Sequence, residues 1–502
     1  MSEFALFGTP ERFEIAVRWV RDAEPRARRP AGFGWSMGDF RITVANHVLT
    51  GSRRGSLRQE HVGWYLAPLF DWMASNWAAL LHEEDFAWPE RSAAPAVVAC
   101  HRALDQSIGL KDSQGRARYK DAQAWYYRHA LRSAAEGGLF PDLFIRRMMD
   151  DIEVSWSAEP PLFAPDGFRF STEPGVARLP VEDVAGPLWQ ALSWAATEPL
   201  SLDERDRASW NFLAEKIERI PSLGTAVLDR SYVDARILEL AKESLERIGS
   251  GELIREEVSP ARPYVRELSP AVAMFGGVRP DLGAGDVGYL CQLLAVSARG
   301  GDSAALRDLV AASGNGSLGV PHEDGYAFAE DFLEGLGLPG EQEWIDVRKI
   351  ALQLGIEVRE KALETDSIRG VALAGEDFTP IILLNETSPF NVNEFGQRYT
   401  LAYELCHILY DRSRARRVTH VSGAWVASGV ERRANAFAAY LLMPRALLVQ
   451  GWRPHFATSR GGFQAFANRL QVNERALAEH LYNLGLIDDL VRERLRAVFR
   501  RH

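Results

Sequence analysis

Between Gly38 and Thr50 the apolar residues Phe40, Ile42 and Val44 alternate with Arg41, Thr43 and Ala45, the two-residue period of a half-buried strand. Ahead of it, Phe13, Ile15, Val17, Trp19 and Val20 predict a short amphipathic helix within residues 1–30, followed by a basic connector that ends at Pro30. Gly51 to Gly55 predicts a turn. Aromatic-rich helices are predicted over 61–81 and 118–135. Residues 143–156 predict a helix end or strand and then a second strand, 152–156. Helical spacing returns in Ile217, Ile220, Leu223 and Val227, and again in Ile237, Leu238, Leu240 and Leu245. Residues 183–255 and 284–312 are therefore predicted to be mostly helical. Residues 252–270, rich in Pro and Glu, and the Gly-rich run 311–321 predict linkers.

Beyond the second linker the pattern tightens. A helix over 326–334 is stopped by Gly335 and Gly337, and another over 346–354 is closed by Gly355. Strands are predicted at 356–359, 368–374 and 380–385, the last two joined as a hairpin through Gly375-Glu376-Asp377. The polar loop 385–393 carries Asn residues able to cap a helix over 394–411. A further helix over 431–442 ends at Met443-Pro444, and three helices near 461–470, 473–483 and 487–500 finish the chain. The fold class is a multi-domain α+β protein. Its parts are an aromatic-rich mixed module over 1–180, a helical module with its linker over 181–315, and a domain with a small sheet over 322–502.

Composition narrows the function. The chain of 502 residues is 46% hydrophobic and 25% charged, an ordinary globular balance. A net charge of −10 leaves no overall basic excess, so direct nucleic-acid binding is not expected. Cys100, Cys291 and Cys406 are scattered and odd in number, which supports neither a disulfide framework nor a cysteine metal site. Charged residues among the first fourteen argue against a signal peptide, and no apolar run is long enough to span a membrane. A reducing cytoplasm is the expected compartment. Eleven of the fourteen tryptophans precede residue 211, which predicts an aromatic core there more readily than a ligand surface.

The chemistry gathers on the helix that contains Tyr403-Glu404-Leu405-Cys406-His407. In the H-E-x-x-H pattern two His at i and i+4 share a helix face and hold zinc, and the Glu after the first acts as general base. Here Glu404 and His407 fill the base and second-His positions, while Tyr403 stands at the first-His position as a degenerate ligand. Glu431, at the start of the next helix, is placed to supply a further ligand, and Ala434, Ala438 and Ala439 would let that helix pack closely. Two groups could complete the set: Tyr403 as a phenolate, or His420 from the loop that follows. Cys406 is read as a small packed residue. The run Arg412, Arg414, Arg416 and Arg417 is read as a solvated loop.

Around this helix the residues resemble the ImmA/IrrE family of zinc metallopeptidase domains. The resemblance covers about 323–485. It is carried by Ile368-Arg369-Gly370-Val371-Ala372, by Ile381 to Asn385, by Arg398-Tyr399-Thr400-Leu401-Ala402 leading into Glu404 and His407, by Glu431 through Pro444, and by Leu477 to Gly485. It implies a zincin-like fold, Zn2+ as cofactor, Glu404 as catalytic base, and His407 and Glu431 as metal ligands with Tyr403 in the remaining position. It implies an intracellular peptidase or sensor that acts on a protein partner, such as a helix-turn-helix repressor or a toxin–antitoxin component, in a stress, mobile-element or phage-defence setting. The alternative is a catalytically inactive pseudo-peptidase that serves as a binding or sensing module, because Tyr403 replaces a ligand.

Overall fold

The computed structural model describes residues 3–24, 29–30, 32–83, 94–108, 113–134, 137–148, 151–197, 202, 204–223, 233–255, 269–276, 278, 282–312, 320–337, 343–412, 417–423, 428–453, 456 and 460–499. They form two compact units, one within residues 3–233 and one comprising 234–255 and 269–499.

The first unit is built on β1 (Ala5–Gly8), β2 (Phe13–Trp19), β3 (Met37–Val44), β4 (His47–Val48) and β7 (Val62–Tyr65), which form an antiparallel sheet. The segment predicted as an N-terminal helix is therefore two strands. Phe13, Ile15, Val17 and Trp19 recur every second residue, and they pair with Val44, Ile42, Phe40 and Gly38 of β3. Glu14 and Ala16 are buried as well, so the strand lacks the polar outer face that would have marked its period. Ser52–Arg54 forms β5 rather than a turn. The turn falls at Gly55, whose φ of 59° is the left-handed region, before β6 (Leu57–Gln59). The predicted helix over 61–81 begins only after β7, as α1 (Ala67–Ser75) and α2 (Trp77–His82).

A hairpin of β8 (Asp142–Met148) and β9 (Asp151–Ser157) follows α3 (Ala96–Ile108) and α4 (Ser113–His129). Glu153 on β9 pairs with Arg146 at 2.8 Å and accepts the Ala96 amide at 2.8 Å, while Ser155 Oγ accepts the Val97 amide at 3.1 Å. Strand side chains thus satisfy the first amides of α3, which have no partner inside the helix. β10 (Phe168–Phe170) pairs with β5, and β11 (Gly175–Pro180) pairs with β9. Described tryptophans pack into the core as expected: Trp19 stacks on Trp194 with ring centroids 4.7 Å apart and Trp77 is fully buried, while Trp125 is buried in a second, smaller cluster. The helices α5 (Val181–Ala195) and α6 (Glu204–Glu218) bury Leu188, Leu192, Leu213 and Ile217 in the same core as Trp19 and Trp77. Compactness thus divides the chain near residue 233 rather than at 180 and 315. Of the predicted linkers, 256–268 and 313–319 lie outside the described residues.

The second unit begins with α7 (Ala235–Arg247), α8 (Pro270–Phe275), α9 (Ala284–Ser297) and α10 (Ala304–Ala312), then α11 (Pro321–Gly335) and α12 (Val347–Gln353). Its sheet has the order β12 (Glu357–Lys361), β14 (Phe378–Asn385), β13 (Ile368–Gly375), β15 (Arg417–Gly423). β12 runs parallel to β14, and the other pairs are antiparallel. The helix α13 (Glu394–Tyr410) packs on β13 and β14, and α14 (Ser428–Leu442) packs on α11 and α13. α15 (Arg445–Gly451), which the sequence pattern did not predict, leads into α16 (Arg460–Leu470), α17 (Glu474–Asn483) and α18 (Asp489–Phe499). Together the elements match a multi-domain α+β protein. Among the described residues, no helix is long and apolar enough to cross a membrane.

Candidate metal centre

α13 is fixed at its start. The Asn393 side chain accepts the Gly396 amide at 2.9 Å, and a Cβ on Gly396 would lie 2.1 Å from the Phe390 carbonyl oxygen, so only glycine fits there. Further along, Thr400 to Leu409 are all buried. A central helix of this kind is expected to be apolar, yet it carries Tyr403, Glu404 and His407 with no solvent exposure. Fully buried Glu and His demand partners, and the partners come from three elements.

β15 supplies the first. Its residues pair with β13, His420 opposite Ala372 and Ser422 opposite Gly370. Residues two apart on a strand share a face, so His420 and Ser422 both stand over α13. Ser422 Oγ donates to Glu404 Oε2 at 3.0 Å. His420 brings its ring within 4.6 Å of the His407 ring, centroid to centroid. The sequence reading placed His420 in a loop; it stands instead on a paired strand, which fixes its position. Gly370 is the third contributor: a Cβ there would meet Glu404 Oε1 at 2.4 Å, so its bare backbone makes the space Glu404 occupies.

α14 supplies Glu431 in its first turn. One ligand atom each from His407, His420 and Glu431 lie within 4.8 Å of one another. Tetrahedral coordination at bonds of about 2.0–2.1 Å would bring such atoms to roughly 3.3 Å, a modest closure of the existing triangle. Among the described residues neither His407 Nε2 nor His420 Nε2 has a hydrogen-bond partner, although both are buried. Burial drives both imidazoles toward the neutral form that binds metals. It pushes the His407 pKa down to about 3, with the nearby Arg433 and Arg369 charges adding to the effect. Burial and then the neighbouring His407 hold His420 well below its ordinary value. Two neutral imidazoles and one carboxylate form the donor set of a catalytic zinc site, so the residues present fit a metal.

Tyr403, read from the sequence as the degenerate first-His position of the motif, is not needed to complete this set. Its ring stands edge-on to His407 at 4.9 Å, and the Arg369 guanidinium lies 4.1 Å above its centroid. Burial and the Glu431 carboxylate raise its pKa well above the usual phenol value, which opposes the phenolate form a metal would require. Burial also pushes the Glu404 carboxyl up to about 8, against the lowering effect of the Ser422 hydrogen bond. Cys406 is buried, as a small packed residue should be. Arg412 departs from the solvated-loop reading: it is buried and pairs with Asp302, one nitrogen at 3.0 Å. Arg414 and Arg416 lie outside the described residues.

Several supporting residues carried no separate signal in the sequence. Arg369 is the extra residue of an irregularity in the β13–β15 register between Ile368 and Gly370. It bonds to Thr400 Oγ1 at 3.2 Å and to Asn435 Oδ1 at 3.3 Å, which ties the sheet to both site helices. His407 Nδ1 is bonded to Asp411, which is also held by Arg433. Asp411 could have been found by its i+4 spacing from His407, which puts the two on one helix face.

Residues 351–482 match the family described as the IrrE N-terminal-like domain, Peptidase_M78. The N-terminal part of the chain matches no family. No curated protein matches the chain.

Proposed function

We propose that the IrrE-like domain of this chain is a zinc-dependent peptidase that cleaves a protein substrate, with the metal held by His407, His420 and Glu431 and with Glu404 as general base. The observation that carries this reading is the meeting of three donor side chains, two buried imidazoles and the half-buried Glu431, beside the fully buried Glu404 carboxylate. When bound, zinc supplies Lewis acidity toward a peptide carbonyl and toward water. Glu404 takes a proton from the water as its oxygen bonds to the carbonyl carbon. It then gives that proton to the amine nitrogen as the C–N bond breaks. Ser422 fixes the Glu404 side chain through Oε2, which leaves Oε1, without a hydrogen-bond partner among the described residues, as the oxygen that exchanges the proton.

For the target we propose a DNA-binding repressor or a toxin–antitoxin partner, in a stress, mobile-element or phage-defence setting. That choice rests on the family likeness alone. A cytoplasmic location agrees with three cysteines that are buried and unbridged. One observation favours a second reading, a binding or sensing module without turnover: Tyr403, Glu404 and His407 have no solvent exposure.

The test is metal analysis of the purified full chain together with hydrolysis of an unstructured protein substrate such as casein. The peptidase reading expects about one zinc per chain. It also expects activity that falls by about 10²–10⁴-fold in Glu404→Gln while the metal is retained. Zinc without hydrolysis, unaltered by Glu404→Gln, would favour the sensing module. A chain that takes up no zinc would overturn the proposal.

A further inference from the structure

The triad explains which atoms could meet a metal but not why the His407 ring presents Nε2 rather than Nδ1. A neutral imidazole carries one proton, and either nitrogen can bear it. Only the nitrogen without the proton can bind a metal. Something must select the tautomer in a buried site where water cannot.

The selecting contact lies one helical turn further on. Asp411 caps the C-terminus of α13, and its Oδ2 accepts the hydrogen bond from His407 Nδ1. Its other oxygen, Oδ1, is paired with Arg433 Nη2. The side chains of His407 and Asp411 are 0% and 3% exposed and that of Arg433 is 13% exposed, so the chain of contacts is shielded from solvent. Each carboxylate oxygen thus has a separate task. With Nδ1 committed as donor, the lone pair is left on Nε2, which has no hydrogen-bond partner among the described residues.

We propose that Asp411 is a positioning residue that fixes the tautomer and ring orientation of His407 for metal binding, and that Arg433 holds Asp411 in place to do so. This rests on the reading of His407 as a metal ligand. It adds a second role for α14. Arg433 follows Glu431 by two residues, so the helix that delivers one ligand also anchors the group that aims another. Docking of α14 on α13 therefore assembles the centre as a unit, and a loosened α14 would lose both effects together.

The discriminating variant is Asp411→Asn, which keeps the shape. An amide that turns its NH2 toward His407 would move the ring proton to Nε2. One that keeps its oxygen there would set its NH2 against Arg433. Zinc affinity of the full chain is measured by chelator competition, and the metal-free melting temperature is measured beside it. The expected result is a 10–100-fold loss of affinity in Asp411→Asn with little change in melting temperature. Arg433→Met should show a smaller loss, and Arg433→Lys should recover part of it.

Should Asp411→Asn fail to fold, the wild-type protein still decides the matter. In histidine-15N spectra of the zinc-loaded chain, the His407 signals should show a protonated Nδ1 and a metal-bound Nε2. Metal on Nδ1, or wild-type affinity in a folded Asp411→Asn, would overturn this inference and leave the metal reading standing. A wild-type chain without zinc affinity would overturn the metal reading itself, and this one with it.

Discussion

His407 and His420 reach one point from opposite layers, the first from the helix α13 and the second from the strand β15, with ring centroids 4.6 Å apart. In the proposed metal centre the pair stands in for the two helix histidines of an H-E-x-x-H site, with one on the helix and one on the sheet. The two candidate third ligands then have opposite sensitivities. His420→Ala should lower zinc affinity by at least about 100-fold, more than loss of an outer partner costs. Tyr403→Phe should keep affinity within about tenfold of the wild type, because its hydroxyl is no ligand. Chelator competition on the two variants checks this. The reverse order would return Tyr403 to the metal and remove His420.

Gly370 and Glu404 give a sharper test of the base. A methyl group on Gly370 would stand 2.4 Å from Glu404 Oε1 and 2.9 Å from its carboxyl carbon. Glu404 is also held by Ser422 and cannot simply swing clear. Gly370→Ala should therefore displace the carboxylate by a fraction of an ångström to an ångström. A misplacement of that size costs about 100-fold in rate. Zinc content should be unaffected, since no ligand is touched. Steady-state hydrolysis beside metal analysis separates the two, and a variant with full activity would show that the carboxylate has more freedom than its contacts suggest.

How much of this could be read from the chain depends on the range of each interaction. The strands β13 and β14 and the helices α13 and α14 were recovered because their signals are local: an apolar run broken by Gly375, an Asn393 cap, a Pro444 stop. The placement of Glu404, His407 and Glu431 on those helices could likewise be read from local pattern. The place of His420 could not, because the face it occupies is set by the pairing of β15 with β13, a contact nearly fifty residues away along the chain. Before pairing, Thr419, His420 and Ser422 look like a polar loop. β2 failed differently. Its two-residue period was present, but burial of Glu14 and Ala16 hid the polar face that would have separated strand from helix.

Gly325 allows the helix pair that carries Glu431 and Arg433 to be tested without touching either. On α11, a Cβ at this position would stand 2.3 Å from the Arg433 carbonyl oxygen and 2.8 Å from the Ala436 Cβ on α14. These are backbone and short side-chain contacts that cannot rotate away. Gly325→Val should cost about 1–3 kcal/mol of stability, the usual range for an overpacked core. It should also weaken zinc binding, because α14 must move outward. Urea unfolding and metal affinity measured on one preparation would show both effects. A stability loss with unchanged affinity would mean that the start of α14 is held independently of its packing on α11.

His480 adds to the acid sensitivity of this unit, beside the buried His407 and His420. It is buried on α17, where Nε2 donates to the Met443 carbonyl oxygen at 3.1 Å and the Tyr326 hydroxyl approaches Nδ1 at 3.4 Å. Both contacts suit a neutral ring. Burial lowers its pKa from 6.5 to about 4, against the opposing effect of the Met443 carbonyl. The sign follows from which state takes up the proton. Between pH 6.5 and 4 the unfolded chain binds a proton at this site and the folded chain does not. Unfolding is therefore favoured progressively as pH falls through that window, and stability is fully present above it. The loss approaches about 3 kcal/mol near pH 4. His480→Gln removes one of the three buried titrating rings and should make this part of the profile shallower. Urea unfolding of the second unit from pH 7.5 to 4.5 should then show the wild type falling toward the variant as acid is added. Parallel curves would mean that the imidazole finds a way to charge inside the fold.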